Sequence, residues 1–203
     1  SAARERVSGL LRSSIETELA DMELARAAFI PEVSPREGGG DGIEVDGMWL
    51  AASGADQVEF MWSANPGEVP RPLAKIASGG ELSRVMLAVK RILCSQDLVS
   101  LYVFDEVDTG LGGKAADSIG KKIQAVASGH QAIAITHLAP IAARADHHVY
   151  VTKQVARKRT VSQIERLSLE ARADEIARMI DGAGVSEATR AAAREMLRRS
   201  QST

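Results

Sequence analysis

The stretch from Leu101 to Lys114, LYVFDEVDTGLGGK, decides the fold. Its first four residues form a short apolar run that is typical of a buried strand. The run ends in Asp105 and Glu106, and α/β proteins bind their ligands at the carboxyl ends of parallel strands. An Asp at this place can hold Mg²⁺ beside a nucleotide, and the following Glu can polarise a water for attack on the terminal phosphate. Acidic residues that only cap a turn are the alternative for this pair taken alone.

Short apolar strands alternate with helices on either side of this stretch. Apolar residues recur at helical spacing over Gly80 to Cys94 and over Ala115 to Ala127. Further buried strands are predicted at Gln131 to Thr136 and at His148 to Thr152. This alternation predicts an α/β fold with a parallel sheet covered on both faces. The remaining predicted elements are strands at 43–45, 57–62 and 159–167 and helices at 169–180 and 186–199.

The first 28 residues predict a long helix. From Ala3 to Ala28 the chain is dense in charges of both signs, and Pro31 and Pro35 are predicted to stop the helix. So narrow an apolar stripe needs a partner helix, which fits the end of a coiled coil. An ordinary amphipathic helix packed on its own domain is the open alternative. The stripe consists of Leu11, Ile15, Leu19 and Met22.

The composition limits the function classes. Twenty-five Lys and Arg against 27 Asp and Glu give a net charge of −2, which excludes a chain coated in positive charge but allows a local basic patch. The single cysteine, Cys94, excludes an internal disulfide framework and fits a reducing compartment. No run approaches the roughly 20 apolar residues of a membrane span, and no signal peptide is recognisable. We therefore expect a cytoplasmic protein without a membrane partner.

Two further elements can bind phosphate. The sequence Ser78-Gly79-Gly80-Glu81 lies at the start of an amphipathic helix, where unpaired N–H groups and a partial positive charge attract anions. Thr136-His137 follows the next apolar strand, and a His at that edge can reach a terminal phosphate. Each signal is common by itself, but their order along the chain forms one pattern.

That pattern resembles the ATP-binding-cassette ATPases. Four stretches closely resemble the RecN family, which belongs to the SMC-like group and repairs bacterial DNA double-strand breaks. The resemblance covers roughly 65 to 197, and the run EVDTGL at 106–111, followed by a glycine pair, distinguishes it from chromosome-condensing SMC heads. Leu138-Ala139-Pro140-Ile141 departs from the family, which commonly has Pro-Gln after the Leu. The four stretches are KIASGGELSRVMLAVK at 75–90, FDEVDTGLGGK at 104–114, ITHL at 135–138 and ARMI at 177–180.

The resemblance implies both a fold and a set of roles. Residues 29–203 would form the C-terminal lobe of a P-loop, ABC-type ATPase head, a mostly parallel sheet flanked by helices. Residues 1–28 would be the end of the coiled-coil helix that enters it. The signature motif would contact ATP held by the opposite protomer. The implied positions are Ser78, Gly79, Gly80 and Glu81 for the signature motif, Asp105 for Mg²⁺, Glu106 for the catalytic Glu, Asp108 for the D-loop Asp across the dimer interface, and His137 for the switch His.

A Walker A motif is missing from the sequence. The nearest candidate, Gly112-Gly113-Lys114-Ala115, has Asp108 where the pattern needs Gly and lacks the hydroxyl residue after the Lys. In the family this motif lies far upstream, ahead of the coiled coil. The resemblance therefore implies an N-terminal Walker A half as partner, a head-to-head homodimer that encloses ATP and Mg²⁺, and no hydrolysis by this chain alone.

One cluster of basic residues could bind DNA. Lys153, Arg157, Lys158 and Arg159 lie around a predicted hairpin tip, where they can neutralise phosphates of DNA, as double-strand ends or single strands. A solvated loop is the alternative. For the whole chain, the alternatives are the head of another SMC-like or ABC-type ATPase and a nonhydrolytic interaction module. The repair function implies a nucleoid-associated location.

Overall fold

The computed structural model describes residues 1–38, 42–76, 78–96, 98–156, 159–182 and 184–200. The chain divides into two compact units, Ser1–Asp97 and Leu98–Thr203. No helix in these described ranges combines the length and the apolar character that crossing a bilayer requires.

The first unit begins with a helix that is shorter than the sequence predicts. Helix α1 spans Ala2–Leu19, and a wider turn follows at Ala20–Leu24, where Glu23 adopts a left-handed backbone with φ 60°. The prediction that Pro31 and Pro35 stop the helix is wrong, because both lie inside strand β1, Ala28–Pro35. Strand β1 is at the edge of its sheet, where a residue without an N–H is tolerated.

An antiparallel sheet forms the rest of this unit's framework. Strand β1 pairs with β4, Asp56–Ser63, which pairs in turn with β5, Arg71–Pro72, and a separate hairpin joins β2, Ile43–Val45, to β3, Met48–Leu50. Helix α1 packs against β1 and against helix α2, Gly79–Leu93. The buried side chains at these contacts include Ile15, Leu19 and Phe29 from the first two elements and Val85 and Leu87 from α2.

The second unit is built around two parallel strands. Strand β6, Leu101–Phe104, leads to helix α3, Gly113–Ala127, and then to strand β7, Gln131–Ala134. The two strands pair in parallel, and the short helix α4, Ala139–Ala142, packs on α3. This is the strand–helix–strand unit that the sequence predicts.

One predicted strand does not join the parallel sheet. Strand β8, Val149–Ala156, pairs antiparallel with β9, Arg159–Arg166, and Val151 is 57% exposed. A strand therefore forms where one is predicted at His148–Thr152, but the prediction that this strand is buried is wrong. Both valines of this run, Val149 and Val151, are exposed on the hairpin, so the apolar run does not form part of a core. Helices α5, Leu169–Asp181, and α6, Glu187–Ser200, complete the unit around a small core that includes the fully buried Ile176.

The parallel strands bury one face and expose the other. Tyr102 and Phe104 are buried, whereas Leu101, Val103 and Ile133 on the opposite face are exposed, Val103 by 61%. The expected covering of both faces is thus present on one face only. Apolar strand residues of this kind are ordinarily covered on both sides.

Candidate nucleotide-binding site

The pairing of the parallel strands gathers the predicted catalytic side chains at one edge. Phe104 pairs with Ala134, and the N–H of Ile135 donates to the Phe104 carbonyl at 2.9 Å. Asp105 follows the first strand directly, and His137 follows the second after two more residues. Both residues therefore leave the sheet at its carboxyl edge.

The acidic pair has an unusual backbone. Asp105 and Glu106 are both exposed, and Glu106 has a left-handed φ of 58°. The Glu106 N–H donates to Oδ1 of Asp105 at 2.9 Å. A residue with a Cβ is strained in this conformation, and such strain is concentrated at functional sites. No sequence pattern indicates this feature, because Glu is not a typical left-handed residue.

The Asp108 side chain links several groups at this edge by hydrogen bonds and close contacts. The side chain is buried, and its Oδ2 accepts the Thr136 hydroxyl at 2.6 Å and the His137 backbone N–H at 3.1 Å. The Nδ1 atom of His137 also lies 3.1 Å from the same oxygen. The Thr136 hydroxyl in turn accepts the N–H of Leu138 at 3.0 Å. Sequence reasoning gave Thr136 no role of its own, although Thr hydroxyls commonly bond the backbone two residues onward.

The glycine-serine turn lies in the first unit, at the start of α2. Ser78 is the N-cap, and its hydroxyl accepts the Glu81 N–H at 3.4 Å. Ser78 and Gly79 are exposed, whereas Gly80 is buried. The structure therefore confirms that a helix begins at this turn, and the binding of an anion by its first N–H groups stays a prediction.

The predicted basic cluster is described in part. Lys153 on β8 and Arg159 on β9 are exposed, and Arg159 pairs with Ala156 at the end of the hairpin. Arg157 and Lys158 lie outside the described residues. The hairpin prediction for this segment is confirmed.

The edge carries an exposed carboxylate that could hold Mg²⁺ together with a nucleotide. No group of three or more His, Cys, Asp or Glu side chains suited to a metal occurs among the residues described. Mg²⁺ usually keeps several waters and is held by one or two carboxylates together with substrate phosphates. The exposed Asp105 carboxylate, with Oδ1 already bonded to Glu106, is a donor of that type.

Comparison with solved structures supports the fold. The crystal structure of an Smc head domain with a coiled coil and joint, from Pyrococcus yayanosii, aligns with a TM-score of 0.56 and 19% identity. The alignment covers 89% of this chain and 30% of that chain. The chain therefore has the fold of an Smc head domain, as the sequence motifs imply.

Comparison of the amino-acid sequence with curated proteins identifies several relatives. No protein-family model matches the chain. The DNA repair protein RecN of Halalkalibacterium halodurans is 46% identical over 145 residues, which are 71% of this chain and 26% of that protein. RecN of Bacillus subtilis is 40% identical over 192 residues, 93% of this chain and 33% of that protein.

The chain is a homologue of RecN over this region, which confirms the resemblance drawn from the motifs. RecN of Treponema pallidum extends the match to 98% of this chain, at 41% identity. The chain spans only about a quarter to a third of the length of these curated relatives. These proportions are consistent with a C-terminal portion of RecN.

Proposed function

We propose that this chain is the C-terminal lobe of the head of an ATP-dependent protein of DNA double-strand-break repair. The observation that carries the proposal is the common edge that Asp105, Glu106 and His137 share in the second unit. Homology to RecN supports the link to DNA repair, and the SMC-type head fold supports ATP as the nucleotide. A repair protein of this kind works in the cytoplasm, beside the nucleoid.

Each side chain at the edge has a task in phosphoryl transfer to water. Glu106 orients the attacking water and accepts its proton, and His137 contacts the terminal phosphate from the neighbouring strand end. Asp105 holds Mg²⁺, which neutralises charge on the phosphates when it is bound. Catalysis of this reaction is mainly positioning and charge stabilisation, for which groups on the ends of rigid strands are well suited.

A second polypeptide segment is needed to complete the site. The exposed apolar face of β6 and β7, with Leu101, Val103 and Ile133, is the kind of surface that another layer of the same domain covers. We assign this face to the upstream half of the protein, which supplies the Walker A motif. The chain alone then has no lysine-bearing phosphate loop and does not hydrolyse ATP.

The working unit is a head-to-head homodimer. Ser78 and Gly79 are exposed at the N-terminus of α2, where they can meet a nucleotide held by another protomer. Each site then combines the strand-end residues of one protomer with the signature turn of its partner. ATP binding closes the two heads, and this closure is coupled to DNA tethering or end recognition.

The decisive experiment supplies the upstream half together with this chain and measures ATP hydrolysis. We expect activity only with both halves, and a loss of about 100-fold or more in Glu106→Gln. Glu170→Gln, at an exposed position of α5, is the matched control and should retain activity. Unchanged turnover in Glu106→Gln excludes Glu106 as the base. Complete inactivity of the reconstituted wild type favours the nonhydrolytic module.

The basic hairpin provides the DNA contact in this proposal. Changing Arg157, Lys158 and Arg159 together to Ala should weaken binding to duplex ends and flatten its salt dependence, by about 0.9 in the log–log slope for each DNA phosphate that is no longer neutralised. A triple Ala variant of Arg190, Arg194 and Arg198 on α6 removes the same charge elsewhere. Equal effects of the two variants would assign the weaker binding to net charge instead of to the hairpin.

A further inference from the structure

The resemblance to RecN assigns Asp108 to a contact across the dimer interface, but the structure gives this carboxylate partners within its own chain. Asp108 is only 4% exposed. Its Oδ2 accepts hydrogen bonds from the Thr136 hydroxyl and from the His137 backbone N–H, at 2.6 and 3.1 Å. A buried carboxylate oxygen with two donors is held in one position, and it holds its donors in return.

The same oxygen acts on the His137 ring. Nδ1 of His137 lies 3.1 Å from Oδ2, while the ring as a whole is 71% exposed. A lone pair on Nδ1 would face the carboxylate charge at this distance and be repelled, whereas a proton on Nδ1 would be attracted. The tautomer of a histidine follows the partner of one ring nitrogen in this way. This contact favours the neutral tautomer that carries its proton on Nδ1, which leaves the lone pair on Nε2.

The backbone links this arrangement to the acidic pair. Asp108 lies two residues after Glu106, and the turn between them is closed by the Thr109 N–H donating to the Glu106 carbonyl at 3.2 Å. The Leu111 N–H donates to the Asp108 carbonyl at 3.1 Å and continues the turn. The loop that carries Glu106 and the strand end that carries His137 are thus joined through one carboxylate.

We propose that Asp108 is the positioning residue of His137 within the same protomer. It fixes the His137 backbone, with Thr136 as the second anchor, and it places the ring proton on Nδ1 so that Nε2 faces the reacting groups. With Nδ1–H held by Asp108, Nε2 accepts a hydrogen bond from the attacking water when the ring is neutral and donates one to the terminal phosphate when the ring is protonated. This assignment of Nε2 rests on the proposed ATPase function. The tautomer and the anchoring do not, and they can be measured without nucleotide.

The first test is long-range ¹H–¹⁵N NMR of the 203-residue chain at a pH where the ring is neutral, with the His137 signals assigned through His137→Gln. We expect the Nδ1–H tautomer in the wild type and its loss in Asp108→Ala. Asp105→Asn removes a neighbouring carboxylate that has no contact with the ring and should leave the tautomer unchanged. A wild-type ring protonated on Nε2 overturns the proposal, even if Asp108→Ala fails to fold. Retention of the Nδ1–H signal in a folded Asp108→Ala also overturns it.

The second test asks in which protomer Asp108 acts, using the full-length protein. Purified heterodimers combine one Asp108→Ala protomer with one Glu106→Gln protomer. If Asp108 serves its own protomer, each mutation disables a different site and hydrolysis falls to the background of the Glu106→Gln homodimer. If it serves the partner, both mutations disable the same site and about half the wild-type activity remains, which overturns the proposal. Absence of ATPase activity in the wild type would instead count against the proposed function and leave the NMR result to decide the positioning role.

Discussion

Phe104 and Ala134 are direct partners in the parallel ladder, and their pairing brings Asp105 and His137 to one edge of the second unit. A parallel register brings the carboxyl ends of both strands to one edge of the sheet. Asp105 and His137 therefore lie on the same side of the second unit, although 32 positions separate them in the sequence. An antiparallel pairing of the same strands would have sent them to opposite ends.

The backbone of Glu106 gives the first prediction. A left-handed conformation is unfavourable for a residue with a Cβ by about 1 kcal/mol, and glycine relieves it. We expect the Glu106→Gly variant to be more stable than the Glu106→Ala variant by up to about 1 kcal/mol, because alanine retains the strain. Urea denaturation of both variants measures the difference. A clearly more stable alanine variant would contradict the strained backbone that the structure gives this residue.

The second prediction concerns Ser78. Ser78→Arg places a long side chain at the exposed N-cap, so that the turn can no longer approach a nucleotide on a second protomer. Loss of the N-cap should lower stability by about 1 kcal/mol, which is too little to unfold the chain. In the full-length protein, light scattering should show no ATP-dependent dimer.

The matched control for this variant is Ser162→Arg, the same change at an exposed position of β9. It should dimerise like the wild type. A full ATP-dependent dimer in Ser78→Arg would remove Ser78 from the interface.

The sequence predicted the strand–helix–strand unit and its acidic edge because these features depend on local patterns. The apolar run before Asp105 and the helical spacing after Lys114 are visible within a few residues. The position of His137 then follows from the rule that such units are parallel. The main elements of the second unit and the location of its site residues could thus be inferred without coordinates.

The features that the sequence did not predict depend on longer-range context. Whether Pro31 ends a helix or lies in an edge strand is decided by which strand pairs with it, and that strand begins 25 residues later. The strand at His148–Thr152 was expected in the buried parallel sheet, because a short apolar run does not show what its faces contact. The left-handed Glu106 and the partners of Asp108 are tertiary geometry that no periodicity encodes.

Gly120 gives the third prediction, on the packing of α3 against α4. A Cβ at this position would lie 2.7 Å from Cδ of Arg144 and 3.3 Å from the backbone of Ile141. Arg144 cannot easily move, because its guanidinium donates to Asp117 and Gln124. We expect Gly120→Ala to lower stability by about 1–2 kcal/mol, since overpacking outweighs the gain in helix propensity.

Gly9 provides the control for this substitution. It also lies within a helix, α1, but a Cβ there would meet no atom within 4 Å. Gly9→Ala should therefore raise stability by up to about 1 kcal/mol. Thermal or urea denaturation of the two variants should shift in opposite directions, and a stabilising Gly120→Ala would show that the two helices are less closely packed than these distances indicate.

The last prediction is a pH dependence located at Asp56, the first residue of β4. Hydrogen bonds from the Ser1 hydroxyl and the Arg4 guanidinium, at 2.6 and 2.8 Å, tie this carboxylate to the start of α1 and lower its pKa from 3.8 to about 2. Because the pKa is lower in the folded state than in the unfolded state, the ionised group stabilises the fold at every pH above the unfolded value. This contribution is lost as the pH falls from about 4 to about 2.

Asp56→Asn should therefore be less stable than the wild type at neutral pH, and the two stabilities should converge as the pH falls through that window. Thermal denaturation at a series of pH values measures both curves. Glu59→Gln, on the same strand and exposed, controls for the loss of one negative charge. A constant gap between wild type and Asp56→Asn from about pH 7 to about pH 2 would mean that the Asn variant loses packing instead of the ion pair that joins α1 to β4.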